Sequence, residues 1–422
     1  MPGSDAATDV WLSAFSDRAP LSAAWAWLDA QPYQSAPDIV PLTEAAGRVL
    51  AAPVTMAQHP AEPKRAAKNG YAVRAADCDG AGDYNPLALP LTSAGGDTLP
   101  PGRAMPIVSG LPLPDGADAV LPLEAAQPTN ADALEVMAQV APGAGVDLPW
   151  RAGTVAPGRA DSVMLDRGRR IGPKEVACLA AMNVGSLTVL SRPLVALMVP
   201  GAKFGPDALT PLLSALLARD GALARTVPVD GVTAADLTAA LTGTGDPACV
   251  LIAGRAGTGP DDMAASALTA AGGTLALHGL ALCPGDVSGV GAMRRGGRTI
   301  PVVLLPGEPV ACLAAYDMLA ARLIRRLAGA ATALPYAVAE FALGRKIVSA
   351  IGVVDVVPVR LSGGRAIPIG AGAGPFGAVQ ADGFVVVPPA SEGYKETTRV
   401  RVHLYDAIRG QSAEDWAVTH GP

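Results

Sequence analysis

This chain has few aromatic residues, histidines or cysteines. Of its 422 residues, 4% are aromatic, 4 are histidine and 5 are cysteine. The cysteines are odd in number, widely spaced and without a CxxC pair, which argues against a disulfide framework or a zinc knuckle. The scattered histidines give no sign of a metal cluster. We therefore expect reduced thiols, most of them buried.

A basic surface and a membrane-spanning run are also lacking. The net charge is -6 and the isoelectric point is near 5.3, so the sequence offers no basic face for a nucleic acid. No uninterrupted apolar run approaches the ~18 residues of a spanning helix, and residues 1–16 lack the basic start and apolar core of a signal peptide. We predict a cytoplasmic protein that binds neither nucleic acid nor membrane.

What the chain does have is the length and the apolar content for several domains. Hydrophobic residues make up 50% of its 422 residues, and a single core usually stops growing below this size. Glycine and proline are abundant, at 48 and 39 residues, which indicates many turns.

The first half of the chain shows short helical and β patterns. Residues 21–28 and 43–50 have the spacing of short helices, the second with Thr43 as its N-cap. Short Val and Leu runs between prolines and glycines predict an inserted all-β region over 52–149. A β-like segment at 170–173 then leads into a helix that begins near Pro173.

From residue 193 onward, strands and helices alternate, which predicts a parallel sheet with helices on both faces. The predicted strands are 194–199, 223–229, 249–253 and 301–305, and the predicted helices are 207–219, 234–241 and 261–271. Val-rich runs at 353–361, 383–388 and 398–404 predict a C-terminal β domain. Ligands of such parallel sheets bind at the carboxyl ends of the strands.

The most informative motif is Leu-Pro-Gly-Glu-Pro-Val at residues 305–310, between a predicted strand and a helical pattern. Pro306 and Gly307 favour a tight turn, and Pro309 suits the first turn of a helix. A helix N-terminus at this place would attract an anion.

This motif resembles the LPGNPV signature of MoeA-type molybdopterin molybdotransferases, whose relatives include the gephyrin E domain. Residues 69–74 resemble the DGYAVR motif of that family, and residues 109–120 resemble TGAPVPEGADAV. The motifs lie in family order, and the likeness runs from about Pro41 to about Gly329. We identify the chain as a member of the family with divergent active-site motifs.

The resemblance implies a multidomain α/β fold and an elongated homodimer. The central parallel α/β domain, which binds molybdopterin, would cover 191–330. A small α/β linker domain would use two segments, 21–50 and 150–190. The inserted β-rich domain would cover 51–149 and the C-terminal β domain 335–411.

A glycine loop at residues 251–262 aligns with the ITSGGVSVGEAD segment of the family, which cradles the pyrophosphate of the pterin nucleotide. The resemblance therefore implies that Gly254, Arg255, Gly257 and Gly259 bind the cofactor, because glycine gives phosphate access to backbone N–H groups. Arg255 stands where the family has glycine, so a cation is added. The alternative interpretation is a simple turn.

Residues 278–287 align with the KPGKP region, where two family lysines face phosphates or the oxyanion. Cys283 and Asp286 stand in the lysine positions, while Pro284 and Gly285 remain as expected cofactor-binding residues, together with Pro306 and Gly307. Such a loss of positive charge changes how an anion can bind. The alternative is that Pro284 and Gly285 survive only as a turn.

Carboxylates of the family hold molybdate with a divalent cation, and most of them are replaced. Gly153, Thr154, Ala202 and Lys203 stand at such positions. The acids that remain or are new are Asp207, Asp262 and Glu308, which we predict to be catalytic, with Asp207 and Asp262 as metal ligands. The alternative is that each caps a helix or lies solvated on the surface.

A basic segment precedes the DGYAVR-like motif. In the family this loop reaches the active site of the partner subunit, and here it contains Lys64, Arg65, Lys68, Asn69 and Tyr71. One hypothesis is that its cations, with Arg255, replace the lost lysines. The other is a solvated charged loop.

Two functions follow from the resemblance. In the first, the protein binds adenylylated molybdopterin, uses Mg²⁺ and inserts molybdate with release of AMP. In the second, it is a catalytically degenerate paralogue that carries molybdopterin or serves as a scaffold for a molybdoenzyme or another biosynthetic protein, since function does not follow fold when site residues change. The sequence leaves enzymatic activity open.

Overall fold

The computed structural model describes residues 18–32, 35–55, 63–130, 132–147, 163–201, 206–370 and 374–405. The chain forms two compact units. Unit 1 contains residues 1–52, 168–180 and 184–422, and unit 2 contains residues 53–167 and 181–183. The finer division into four domains stays a prediction.

The helices are α1 Leu21–Ala30, α2 Pro173–Ala181, α3 Leu209–Arg219, α4 Ala234–Thr242, α5 Ala264–Ala270, α6 Pro309–Ala315, α7 Ala321–Leu327 and α8 Gly374–Gln380. Short 3-10 helices cover Leu42–Glu44, Ala75–Cys78 and Leu123–Ala125, and a π-helical turn, Tyr316–Ala320, joins α6 to α7.

The strands of the first half are β1 Pro37–Pro41, β2 Val54–Thr55, β3 Arg65–Ala66, β4 Gly70–Val73, β5 Leu87–Pro90, β6 Met105–Ile107, β7 Ala119–Pro122, β8 Ala126–Asn130, β9 Ala133–Val136, β10 Val146–Asp147, β11 Val163–Leu165 and β12 Ser186–Leu190. The strands of the second half are β13 Leu194–Met198, β14 Leu223–Thr226, β15 Cys249–Ala253, β16 Thr274–His278, β17 Leu282–Cys283, β18 Gly289–Arg295, β19 Arg298–Leu305, β20 Ala337–Leu343, β21 Ile347–Val348, β22 Val354–Ser362, β23 Arg365–Pro368, β24 Gly383–Val387, β25 Gly393–Tyr394 and β26 Arg399–Leu404.

A six-stranded sheet forms the centre of unit 1, in the order β14-β13-β15-β19-β18-β16. The first four strands are parallel, with Val195 opposite Cys249 and Val250 opposite Val302. The predicted parallel sheet is therefore confirmed over these strands. The hairpin of β18 and β19 was not predicted, and it places one antiparallel strand near the edge.

Helices cover both faces of this sheet. Because side chains alternate along a strand, Val195 and Leu197 of β13 pack with α3, α6 and α7, whereas Ala196 and Met198 pack with α4 and α5. The central strands are buried on both faces, as their continuous apolar sequence predicts.

Three further sheets complete unit 1, one of them the pairing of β21 with β25. A mixed six-stranded sheet, in the order β17-β22-β23-β20-β26-β24, confirms the predicted C-terminal β region, and β1 pairs antiparallel with β12. Strand β17 comes from the segment between β16 and β18, so the C-terminal sheet takes its edge strand from the chain of the central sheet.

Unit 2 is built from small antiparallel sheets. Its sheets have the strand orders β6-β4-β7, β5-β9-β8, β10-β3 and β11-β2. Two apolar clusters fill it, one around Tyr71, Leu121 and Leu134 and the other around Leu99, Met105 and Val120. The predicted all-β character of this region is confirmed.

One predicted helix is wrong. Residues 43–50 form only the end of a 3-10 turn, and Val49 and Leu50 instead make β-bridges to Arg170 and Val189. The segment does not form a helix, although its spacing suits one, because β-branched Val49 and apolar Leu50 are buried against neighbouring strands. Helix α2 begins at Pro173, as predicted.

A buried charged network joins α3, the π-helical turn and α7. Asp220, whose side chain is 1% exposed, accepts hydrogen bonds from Arg219, from the Tyr316 hydroxyl and from Arg325 Nε. Arg219 also donates to Asp317, whose other carboxylate oxygen accepts from the Tyr336 hydroxyl. Each buried charge is thus matched by an opposite charge and by hydrogen bonds.

No helix in the described part of the chain is long and apolar enough to cross a membrane.

Replacing Asp220 with alanine is expected to lower the free energy of unfolding by about 3–5 kcal/mol, because the buried Arg325 loses its counterion. Urea denaturation of unit 1, followed by circular dichroism, measures this change. The matched control is Asp246→Ala, which removes an exposed ion pair with Arg298 and should cost about 0–1 kcal/mol. Equal effects of the two substitutions would contradict the account.

Candidate functional site

A cavity of about 420 Å³ lies where strands β13, β15 and β19 end. Its walls come from three segments that are far apart in sequence: 199–201 with 206–209 after β13, 253–255 after β15, and Gly307 with Pro309 after β19. We call it the strand-end cavity. This is the place at which open α/β sheets bind ligands.

The structure brings four predicted site residues to the strand-end cavity: Asp207, Gly254, Arg255 and Gly307. Gly254 donates from its backbone N–H to Leu305 O, which joins the loop after β15 to the end of β19. A Cβ on Gly307 would lie 3.2 Å from Gly254 Cα, which is a tight contact, so glycine at position 307 favours the close approach of the two backbones.

The loop after β15 makes a left-handed turn. Gly254 has a φ of +92° and Arg255 a φ of +56°, which is rare for a residue with a side chain. The Arg255 carbonyl accepts from the N–H groups of Met263 and Ala264 and so caps α5, while its guanidinium lies 3.7 Å from the exposed Asp261. The turn thus fixes the backbone at the cavity and leaves the Arg255 side chain 37% exposed.

Asp207 and Asp262 both use carboxylate oxygens to hold backbone N–H groups. Asp207 Oδ1 accepts from Leu209 and Thr210 at 3.0 Å, which satisfies the first turn of α3. Asp262 Oδ2 accepts from Gly259 at 2.8 Å inside the glycine loop, beside Gly257. Asp262 does not line the strand-end cavity, so the structure does not bring the two acids together there.

Glu308 is the N-cap of α6. Its Oε2 accepts from Ala311 N–H at 2.7 Å, and Pro309 follows at the first helical position, as the motif predicts. Pro306 is buried in the turn. Glu308 faces a different cavity from its neighbours Gly307 and Pro309, so the turn separates two cavities.

The second cavity, of about 610 Å³, lies between this turn and the C-terminal sheet; we call it the turn-side cavity. Its chemistry-bearing residues are Cys283, Glu308, Lys346 and Asp355, and Pro284 also lines it. Gly285 is buried behind it, close to Leu282 and Ala315. Asp286 is paired with Arg18 instead of facing a ligand anion.

Partial burial and a neighbouring carboxyl affect the Cys283 thiol. Burial, followed by the negative charge of Asp355, raises the pKa of this thiol above its ordinary value. Burial likewise raises the pKa of Asp355. Cys283 therefore stays a neutral thiol at pH 7, where a lysine would be a cation.

Lys346 and Asp355 were missed by sequence reasoning. Asp355 lies in β22 of the C-terminal sheet and Lys346 lies just before β21. Both are about 60 residues or more beyond Cys283, and no periodic pattern connects them to it. The only signal was a pair of adjacent cations, Arg345 and Lys346, just before a short strand. Lys346 supplies a cation to the cavity in which the lysine-position residue is Cys283.

The basic segment lies in unit 2. Lys64, Arg65 and Lys68 are exposed, with Arg65 donating to Gly110 O at 2.8 Å. Asn69 Oδ1 accepts from Ser109 N–H at 2.8 Å, and Tyr71 is 9% exposed in the apolar core of the unit. Hydrogen bonds thus anchor the segment while its lysines point to solvent.

Metal binding stays a prediction. Among the residues that the structure describes, no three His, Cys, Asp or Glu side chains come together to hold a metal ion. Gly153, Thr154, Ala202 and Lys203 lie outside the described residues.

The fold and these cavities define a multidomain α/β protein with a glycine-loop ligand site at the ends of parallel strands. Two family models match the chain: the MoeA N-terminal region (domain I and II) over residues 19–183, and a probable molybdopterin binding domain over residues 189–326. The chain belongs to the MoeA-type molybdopterin molybdenumtransferase family, which confirms the resemblance seen in the sequence.

Individual proteins of this family are similar to the chain over most of its length. Molybdopterin molybdenumtransferase 1 of Mycobacterium tuberculosis is 30% identical over 320 residues, which cover 68% of this chain and 73% of the relative. Molybdopterin molybdenumtransferase 2 of the same organism is 29% identical over 307 residues, covering 67% and 73%. The solved structure of a molybdopterin biosynthesis MoeA protein from Pyrococcus horikoshii matches with a TM-score of 0.72 and 26% identity, covering 93% of this chain and 100% of that one.

Replacing Asp355 with asparagine is expected to lower the pKa of the Cys283 thiol, because the variant removes a negative charge beside it. At a fixed pH below that pKa, the thiolate fraction rises, and alkylation becomes faster by about threefold for each unit that the pKa falls. Mass spectrometry of the alkylated peptide from pH 7 to pH 10 measures the rate. Exposed Cys178 is the internal standard. Unchanged Cys283 rates at every pH would refute the assignment.

Proposed function

We propose that this chain acts in molybdenum cofactor biosynthesis: it binds adenylylated molybdopterin in the strand-end cavity and inserts molybdate with release of AMP. The observation that carries this proposal is the convergence of Asp207, Gly254, Arg255 and Gly307 on one cavity. These residues come from three separate motifs of a family whose members are named for this transfer.

The strand-end cavity suits a phosphate group. The turn at Gly254 and the approach of Gly307 leave the backbone open to a ligand, since no side chain covers it at these positions. Arg255 supplies a planar cation that can form paired hydrogen bonds with phosphate oxygens. Chemistry at such a site would consist of positioning and electrostatic stabilisation.

Lys346 would bind the second anion, which is molybdate. Molybdate is the substrate oxyanion, and the turn-side cavity contains Lys346 together with the Pro284 turn. This lysine lies just before β21, whereas the aligned family lysine would have come from position 283 in β17. A cation would therefore still reach the anion, but from the opposite wall.

The described carboxylates do not fit a preformed Mg²⁺ site. Asp207 and Glu308 each give an oxygen to a helix N-terminus and line different cavities, while Asp262 lines neither. Mg²⁺ is commonly held by one or two carboxylates and the substrate phosphates, with water completing its shell. The proposal therefore routes no step through the ion.

We further propose a homodimer in which Lys64, Arg65 and Lys68 reach the site of the partner subunit, as the resemblance implies. Their exposure and the anchoring hydrogen bonds of Arg65 and Asn69 support this role.

A second function is favoured by the hydrogen bonds that the three predicted catalytic acids make to the backbone. Because Asp207, Asp262 and Glu308 accept hydrogen bonds from backbone N–H groups, these acids have structural roles, two at helix N-termini and one inside the glycine loop. A degenerate paralogue that holds molybdopterin, or a partner protein of the pathway, would keep such acids without needing catalytic carboxylates.

Molybdate-dependent release of AMP from adenylylated molybdopterin, measured with the purified full chain, separates the two functions. The proposal predicts turnover. It also predicts that Arg255→Ala weakens binding of the nucleotide by about tenfold or more, because a charged hydrogen bond is lost. The charge-matched control is Arg294→Ala, at the exposed position of β18. Binding without turnover would identify the carrier, and no binding by the wild type would leave only the scaffold for a partner protein.

The triple variant Lys64→Ala, Arg65→Ala, Lys68→Ala should weaken molybdopterin binding by about tenfold or more if these cations complete the site. Fluorescence titration with molybdopterin measures the affinity.

The matched control removes the same charge from the exposed positions Arg294, Arg360 and Arg401. Equal affinity in the two triple variants would show that the basic segment is only a solvated loop.

A further inference from the structure

A third cavity, of about 810 Å³, lies at the amino ends of β13 and β14, opposite the strand-end cavity. Its walls include the segments 46–49, 190–192, 220–224 and 330–335. All belong to unit 1. We call it the arginine cavity, because Arg48, Arg170, Arg192 and Arg325 line it.

The wall of the arginine cavity is cationic. Asp220 is the acid among its lining residues, and this carboxylate already accepts from Arg219, Tyr316 and Arg325. Arg48 donates to Asp38 at 3.2 Å and to Leu190 O at 3.0 Å. Even with both acids counted, four arginines face two carboxylates, so the cavity keeps an excess of positive charge.

Two guanidinium nitrogens in this wall have no acceptor among the described residues. They are Arg48 Nε and Arg325 Nη2, both fully buried, in residues that are 9% and 3% exposed. A buried donor without an acceptor is costly, and a buried cation makes the potential of the neighbouring space more positive. An anion in the cavity would lower the electrostatic free energy of both side chains.

Arg170 and Arg192 provide the direct contacts. Both are exposed at the cavity, and neither forms an ion pair within the described parts of the chain. A guanidinium binds phosphate through two parallel hydrogen bonds, and its long side chain can close over a ligand. The buried arginines therefore make the electrostatic potential of the cavity more positive, and the exposed arginines can form hydrogen bonds with the ligand.

We propose that the arginine cavity binds a small molecule that bears a phosphate group. A multiply charged anion matches the excess of positive charge, which a single carboxylate would leave unbalanced. The volume lies within the range of about 300–1,000 Å³ that is usual for small-molecule sites. The lining has alanine, leucine, valine and serine but no aromatic ring, so an aliphatic or sugar-like body fits better than a stacked base.

This site does not depend on the proposed function, since it shares no lining residue with the strand-end cavity. Ligand binding here would join β14 to the segment 46–49 and to the loop after α7, three parts of unit 1 that meet at the cavity.

Isothermal titration calorimetry of the full chain with pyrophosphate, in low salt, tests the proposal. The wild type should bind, and the double variant Arg170→Ala, Arg192→Ala should bind at least about tenfold more weakly. The double variant Arg294→Ala, Arg360→Ala removes the same charge from exposed strands elsewhere and should bind like the wild type.

Three results would overturn the proposal: no pyrophosphate binding by the wild type, equal losses in both double variants, or equal affinity for acetate and pyrophosphate. Arg255→Ala measures any pyrophosphate that binds at the strand-end cavity. A loss of pyrophosphate binding in that variant, with none in the Arg170 and Arg192 variant, would place the ligand at the strand-end cavity instead.

Discussion

The backbone at Gly254 passes close to Gly307, where an added Cβ would lie only 3.2 Å from Gly254 Cα. This approach is possible because β15 and β19 are adjacent parallel strands that end at the same edge of the sheet, and because each strand is followed directly by glycine or by Pro-Gly. It holds the glycine loop against the turn before α6. The strand-end cavity on one side of that turn and the turn-side cavity on the other both depend on it.

Around these cavities, three acidic side chains bind backbone N–H groups, and the basic side chains line the space in which a ligand would bind. Each of the three acids singled out from the sequence holds a helix or loop N–H group. Cations come from elsewhere: Arg255 from a left-handed turn and Lys346 from the residue just before β21. A family scaffold can therefore place positive charge near a phosphate even when the expected lysine position holds a neutral thiol.

Local sequence was sufficient for much of the fold. Strand β15 has the predicted bounds, because five apolar residues lie between a proline-containing turn and glycine. The predicted helix at 43–50 failed because its apolar spacing also suits the β-bridges that neighbouring strands offer to Val49 and Leu50. The β18–β19 hairpin is closed by Gly296 and Gly297, and a pair of glycines between two strands favours such a hairpin turn.

The site was harder to predict than the fold. Motif order correctly grouped Asp207, Gly254, Arg255 and Gly307, since parallel strands bring their carboxyl ends together. Sequence could not show which oxygen of an acid caps a helix, nor that Lys346 approaches Cys283, nor that Asp355 is the neighbour of Cys283 across β17 and β22. The buried cluster around Asp220 could not be predicted from the sequence either, because a charged residue within an apolar helical pattern does not indicate which residues it pairs with.

The central claim is that the strand-end cavity holds a pterin. The direct measurement is the fluorescence of oxidised pterin released from protein purified from cells that make molybdopterin. The account predicts pterin with the wild type and none with Gly254→Val, which fills the approach to Gly307, whereas Gly272→Val should retain it. Gly272 is the control because it has a similar positive φ, +78° against +92°, with no atom near its Cβ position. A wild-type protein without pterin, or equal pterin in both variants, would contradict the account.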